Sequence, residues 1–140
     1  MLKVIVGSLN ANGWMSIILV IILAGWLGYT LITNYRVRQA ATYLSNEDFQ
    51  SGMRKAQVID LRESKSFKDG HILGARNVPY STIRNFYQQL RSDMPIYMYD
   101  QGKTMSKRAA LFLSKKGYKD LYILKNGYQN WNGKEKKSNI

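Results

Sequence analysis

The sequence predicts one α/β domain on a parallel sheet, carried behind a single membrane-spanning helix, and three observations lead there. Residues 14–33 (WMSIILVIILAGWLGYTLIT) form an uncharged apolar run. Short runs rich in strand-forming residues, at 57–61 (QVIDL), 96–99 (IYMY) and 121–124 (LYIL), alternate with helix-patterned segments, the signature of a parallel sheet covered on both faces. A chain of 140 residues, less the apolar run, can build one core and not two.

The apolar run has the roughly 20 residues that a helix needs to cross a hydrocarbon core of about 30 Å. A cleavable signal is the rival reading, but the run is long, a small-residue cleavage pattern is poor, and Arg36 and Arg38 follow directly. Trp14 at one end, with Tyr29 and Tyr35 at the other, suits interfacial belts. Only Lys3 and the α-amino group precede the run, whereas Arg36, Arg38, Arg54 and Lys55 follow it. The positive-inside rule therefore expects a plasma-membrane, single-pass protein with its N-terminus outside and its domain in the cytoplasm. Ala24, Gly25 and Gly28 offer a shallow face on which another transmembrane helix can pack, although chance in an apolar run accounts for them more readily.

The formal net charge is +12, and every basic residue but Lys3 follows the apolar run. Anionic lipid headgroups of the cytoplasmic leaflet are the expected neighbours of that charge. Nucleic acid is not expected as a partner, because the basic residues are dispersed and no recognised nucleic-acid-binding motif occurs. The chain contains no cysteine, which removes disulfides, zinc-thiolate sites and thiol nucleophiles together. No metal and no cofactor is expected.

Residues 34–41 lack glycine and proline and are expected to continue the helix as a stiff juxtamembrane stalk. Residues 42–44 read as a short strand. Ser45, followed by Glu47 and Asp48, supplies a capping hydroxyl and an acidic first turn for a helix ending near Gly52. Two longer helices are predicted over 80–91, after Pro79, and over 106–116, before Gly117. The polar, lysine-rich residues 134–140 are predicted to be a basic flexible tail.

Asp60 and Arg62 end a predicted strand, where open parallel sheets collect ligands, although a fold-stabilising ion pair accounts for them equally well. The stretch VIDLRESKSFKDGHILGARNVP, residues 58–79, closely resembles the first signature of rhodanese domains: a strand ending in Asp-x-Arg, a loop, then Gly-His-Ile-x-Gly-Ala-x-Asn-hydrophobic-Pro. The closing GYKDLYILKNGYQNW resembles the end of the same family, with Asn126-Gly127 in place of a glycine pair and Trp131 in place of the terminal tryptophan. The resemblance spans about residues 42–131 and implies a rhodanese-like three-layer domain with a five-stranded parallel sheet over 42–133. A bacterial origin is expected. In the family's Gly-His-Ile motif, Gly70 and His71 are structural loop residues.

Active family members carry cysteine after the strand equivalent to IYMY, in a loop whose N–H groups point at its sulfur. Here Asp100 stands in that position, followed by Gln101, Gly102, Lys103, Thr104 and Met105. The glycine falls one place early, and Met105 stands where arginine is common. A carboxylate cannot carry a persulfide, so the usual sulfur-transfer route is closed, but Asp100 suits the anion site as a permanent occupant. An aspartyl-phosphate route is disfavoured by the lack of an acidic cluster for magnesium. Lys103 either attracts a phosphate or a partner's carboxylate, or stays solvated.

The leading expectation is a catalytically inactive interaction module. It is expected to bind another membrane protein through residues 100–105, with membrane-protein insertion or quality control as the expected setting. The alternatives are a sulfur carrier using a partner's thiol and an anionic-lipid-binding module.

Overall fold

The computed structural model describes residues 10–138. Most of the expected outward segment 1–13, and the last two residues of the tail, lie outside them. The described chain forms two compact units, one ending at Tyr35 and one beginning at Arg36.

In the first unit, helix α1 (Ala11–Ala40) begins three residues before the apolar run, with Gly13 N–H donating to Asn10 Oδ1. It is long and apolar enough to cross a membrane. Its large side chains from Trp14 to Tyr35, apart from the half-buried Ile17, are exposed, as for a helix that has no protein core of its own to bury them. The last turn, from Arg36, belongs to the second unit and seats Val37 in that unit's core.

The second unit is a three-layer α/β domain. Strands β1 (Thr42–Leu44), β2 (Gln57–Asp60), β4 (Arg76–Asn77), β5 (Ile96–Tyr99) and β6 (Leu121–Leu124) form a parallel sheet in the order β1-β6-β5-β2-β4. Strand residues alternate between two cores, as a period of two requires. Ile59, Met98 and Ile123 join Val37, Ile83, Ala109 and Leu113 on one face. Val58, Tyr99 and Leu124 join Phe49, Ile72 and the partly buried Trp131 on the other.

The helices explain themselves locally. Ser45 Oγ accepts the Asp48 N–H at 3.2 Å and starts α2 (Asn46–Gly52), with Glu47 and Asp48 in the first turn. A 3₁₀ turn (Met53–Lys55) leads to β2, and α3 (Ser64–Asp69) leads to the short strand β3 (His71–Ile72). Helix α5 (Thr104–Lys115) buries Ser106, Ala109, Ala110 and Leu113 at helical spacing.

The helix predicted over 80–91 is instead broken into a 3₁₀ turn (Tyr80–Thr82), a single-turn α4 (Ile83–Phe86) and another 3₁₀ turn (Tyr87–Gln89). Thr82 and Phe86 interrupt it at φ/ψ of −115°/3° and −118°/−2°, and the buried Tyr118 hydroxyl donates to the carbonyls of Tyr87 (2.8 Å) and Leu90 (2.9 Å). Anchoring Ile83 and Leu90 in one core outweighs a regular helical path.

The tail also departs from expectation. Its residues form β7 (Glu135–Lys136), antiparallel to β3, and the Leu73 N–H donates to Lys134 O while the Ser138 N–H donates to Lys68 O. Backbone pairing needs no apolar side chain, which is why a lysine-rich stretch can be a strand.

Candidate functional site

Two carboxylates stand at the carboxyl ends of neighbouring strands. Asp60 ends β2 opposite Tyr99 at the end of β5, and Asp100 follows one residue later. Both are buried.

Asp60 is clamped by Arg62. The guanidinium donates from Nη2 to Asp60 Oδ2 at 2.7 Å and from Nε to Oδ1 at 3.1 Å, a forked pair of the strong, charge-assisted kind. Nη2 also donates to Gly70 O at 2.6 Å, and the guanidinium lies 4.0 Å from the centre of the Tyr128 ring. Burial works against the Arg62 charge, but the hydrogen bond and charge of Asp60 outweigh it and raise the Arg62 pKa. The Asn77 side-chain amide donates to the carbonyls of Asp60 and Arg62, closing the turn. Arg62 thus joins the strand end, the Gly70 loop and the segment after β6. His71 stacks on Phe67 with ring centres 3.7 Å apart and bonds through Nδ1 to Phe67 O at 2.7 Å, inside the protein and away from any reacting group.

Asp100, by contrast, is held by neutral donors. Its Oδ2 accepts the Met105 N–H at 3.2 Å, and its Oδ1 accepts the Ser106 N–H at 3.3 Å and the Ser106 hydroxyl at 2.6 Å. These are the otherwise unpaired N–H groups of the first turn of α5, where the helix field also favours negative charge. They explain why α5 starts at Thr104, two residues before the predicted start: Asp100, reaching across five residues, accepts two first-turn N–H groups, while Lys103 at the cap position makes no side-chain capping bond.

The loop is braced from outside. Tyr128 N–H donates to Asp100 O at 2.9 Å and Gln129 N–H to Gln101 O at 3.3 Å. Gly127 has φ of 71°, and a Cβ there would overlap the carbonyl oxygens of Gln101 and Gly102. Sequence reasoning identified Asn126-Gly127 but missed Tyr128, whose ring covers Arg62; an aromatic residue directly after that turn was the available signal.

Beside the loop lies a cleft of about 410 Å³, mostly apolar, lined by Leu61, Arg62, Glu63, Tyr80, Asp100 and Met105 among others. Gln101 and Thr104 also line it, and Gln101 accepts a long 3.5 Å bond from Arg62 Nη1. Lys103 projects to the other side, its Nζ 6.0 Å from the centre of the Tyr43 ring. Ala24, Gly25 and Gly28 lie on α1, where a Cβ at either glycine would meet nothing within 4 Å. Among the described residues no group of three or more His, Cys, Asp or Glu could hold a metal ion.

This architecture, a five-stranded parallel sheet with a tight loop leading from β5 into the N-terminus of α5, is that of a rhodanese-like domain. Residues 45–134 match the family model for the rhodanese-like domain, and the chain belongs to that family. It is 40% identical over 121 residues to the uncharacterized protein YqhL of Bacillus subtilis, covering 86% of this chain and 96% of that protein. It is 32% identical over 78 residues to the thiosulfate sulfurtransferase GlpE of Shewanella oneidensis, covering 56% of this chain and 77% of that one. The crystal structure of the Alr3790 protein of Anabaena superposes with a TM-score of 0.64 at 22% identity, over 69% of this chain and 81% of that one, and shares the fold.

Proposed function

We propose that this protein is a membrane-anchored rhodanese-like interaction module that performs no sulfur transfer. The observation that carries this reading is the Asp100 carboxylate, seated on the Met105 and Ser106 donors where a transferring thiolate belongs. Sulfur transfer of the kind named for GlpE requires a nucleophile that can hold the sulfur in an S–S bond, and this chain has no cysteine. A resident carboxylate also blocks anionic donors by charge.

In this reading α1 crosses the plasma membrane once with its N-terminus outside. The domain lies at the cytoplasmic face, near anionic headgroups. The cleft between Tyr80, Met105 and residues 61–63 receives another membrane protein, and the Ala24, Gly25 and Gly28 face packs against that protein's helix. A role in membrane-protein insertion or quality control fits an anchor of this kind.

The test is photo-crosslinking and affinity capture from native membranes. Intact protein is compared with Asp100→Ala, Met105→Glu and a version carrying an unrelated transmembrane segment. One membrane protein captured by the intact chain and lost with Met105→Glu supports the reading. Capture of no specific protein overturns it, as does thiocyanate formation from thiosulfate and cyanide by the purified chain.

A further inference from the structure

A second groove, sharing no residue with the Asp100 cleft, lies between the end of α2, the loop after β3 and the approach to β7. It encloses about 310 Å³ and is lined by Gln50, Met53, Arg54, Leu73, Trp131 and Lys134. Met53, Leu73 and Trp131 supply its apolar surface, with Trp131 half-buried and Leu73 45% exposed, and Gln50, Arg54 and Lys134 supply polar surface of nearly equal extent. Its rim is cationic, with the exposed Arg54 on one element and Lys134 on another. No carboxylate lines it, and neither Arg54 nor Lys134 takes part in the ion pairs Asp60–Arg62 and Arg91–Asp93.

The groove is built before anything binds. The carbonyl of Lys134 accepts both the Leu73 N–H at 3.0 Å and the Trp131 indole N–H at 3.3 Å, so one backbone oxygen sets the spacing of its two apolar walls. Trp131 is held from behind by the edge of Phe49, with ring centres 5.7 Å apart. Gly133 lets the chain cross its ring, since a Cβ there would overlap the indole. Gln50 Nε2 ties α2 to Asn132 Oδ1 at 3.0 Å. A preorganised recess of this kind loses little entropy on binding.

We infer that this groove docks an acidic linear segment of a partner protein, one apolar side chain entering between Leu73 and Trp131 while flanking carboxylates meet Arg54 and Lys134. A second copy of this chain is the wrong occupant, because two chains of net charge +12 repel. A bilayer surface offers phosphates but no side chain projecting into a recess. Apolar insertion between two cations gives both affinity and polarity of binding, as in other groove-bound peptides. The inference is independent of the Asp100 cleft and survives or fails separately from it.

The experiment pans a phage-displayed library of random dodecapeptides against the full-length protein in phosphatidylcholine nanodiscs, then measures the enriched peptides by Trp131 emission in a Trp14→Phe, Trp26→Phe background. The expected result is enrichment of sequences with Asp or Glu on both sides of Leu, Phe or Met. Their affinity falls at least tenfold with Arg54→Glu, with Lys134→Glu and with Leu73→Asp, and is unchanged with Lys119→Glu, at an exposed lysine outside both clefts. Unchanged circular dichroism verifies that the surface variants are folded. Absence of enrichment, enrichment of neutral or basic sequences, or affinities indifferent to Arg54 and Lys134 would overturn the inference. So would a Trp131 emission change caused by phosphatidylglycerol nanodiscs alone and abolished by Arg54→Glu, which assigns the groove to lipid.

Discussion

Asp60 and Asp100 are two buried carboxylates at the ends of adjacent parallel strands, and they are neutralised in opposite ways. Asp60 faces a side-chain cation, the forked Arg62, which is itself tied to Gly70 and covered by Tyr128. Asp100 faces backbone N–H groups and one hydroxyl, the partial charges of a loop and helix start. The first arrangement is a clamp between chain segments. The second is an anion cradle, whose partial charges suit an anion of any chemistry and here hold a carboxylate.

The comparison can be broken most severely at Asp60. Asp60→Ala leaves the Arg62 guanidinium nearly buried without its partner, and an expected loss of about 3 kcal/mol should appear in urea denaturation of the full-length protein in detergent. Asp100→Ala removes only neutral donors' acceptor, so a smaller loss of about 1–2 kcal/mol is expected, the scale of a lost helix cap. If the two variants lose equal stability, the distinction between clamp and cradle fails.

A third, smaller effect comes from pH. Burial raises the pKa of Tyr99 above the ordinary 10.0, with the Asp60 charge adding to it, and burial also raises Tyr118 and Tyr128. The folded state holds these protons where the unfolded chain releases them. The stability they contribute is complete below about pH 10 and is lost as pH rises through the raised values. The urea midpoint should fall between about pH 9 and pH 11, and Tyr99→Phe should flatten that fall.

The sheet was largely legible because β2, β5 and β6 are runs of β-branched and aromatic residues whose alternation feeds two cores, as Val58 and Ile59 or Met98 and Tyr99 show. Two-residue strands carry no such period, so β4 and β7 left no trace in the pattern, and the pairing of Glu135–Lys136 with β3 rests on backbone groups alone. The interrupted helix after Pro79 was illegible because its cause, the Tyr118 hydroxyl, comes from about 30 residues away in sequence. At the site, the position of Asp100 could be read from the loop that resembles the family's, but its contacts with Met105 and Ser106 could not. The groove at Trp131 was invisible, because its residues come from three separated stretches joined by the Lys134 carbonyl and the Gln50–Asn132 bond.

The central claim is that residues 100–106 form a working anion cradle filled by the chain's own carboxylate. Its most direct test is Asp100→Cys in the full-length protein, which otherwise contains no thiol, with the rate of iodoacetamide labelling followed against pH. The thiol is expected to titrate at least one unit below the ordinary value of about 8.5, because the same N–H groups and helix start would stabilise its thiolate. A thiol titrating at or above the ordinary value, in a folded variant, would contradict it.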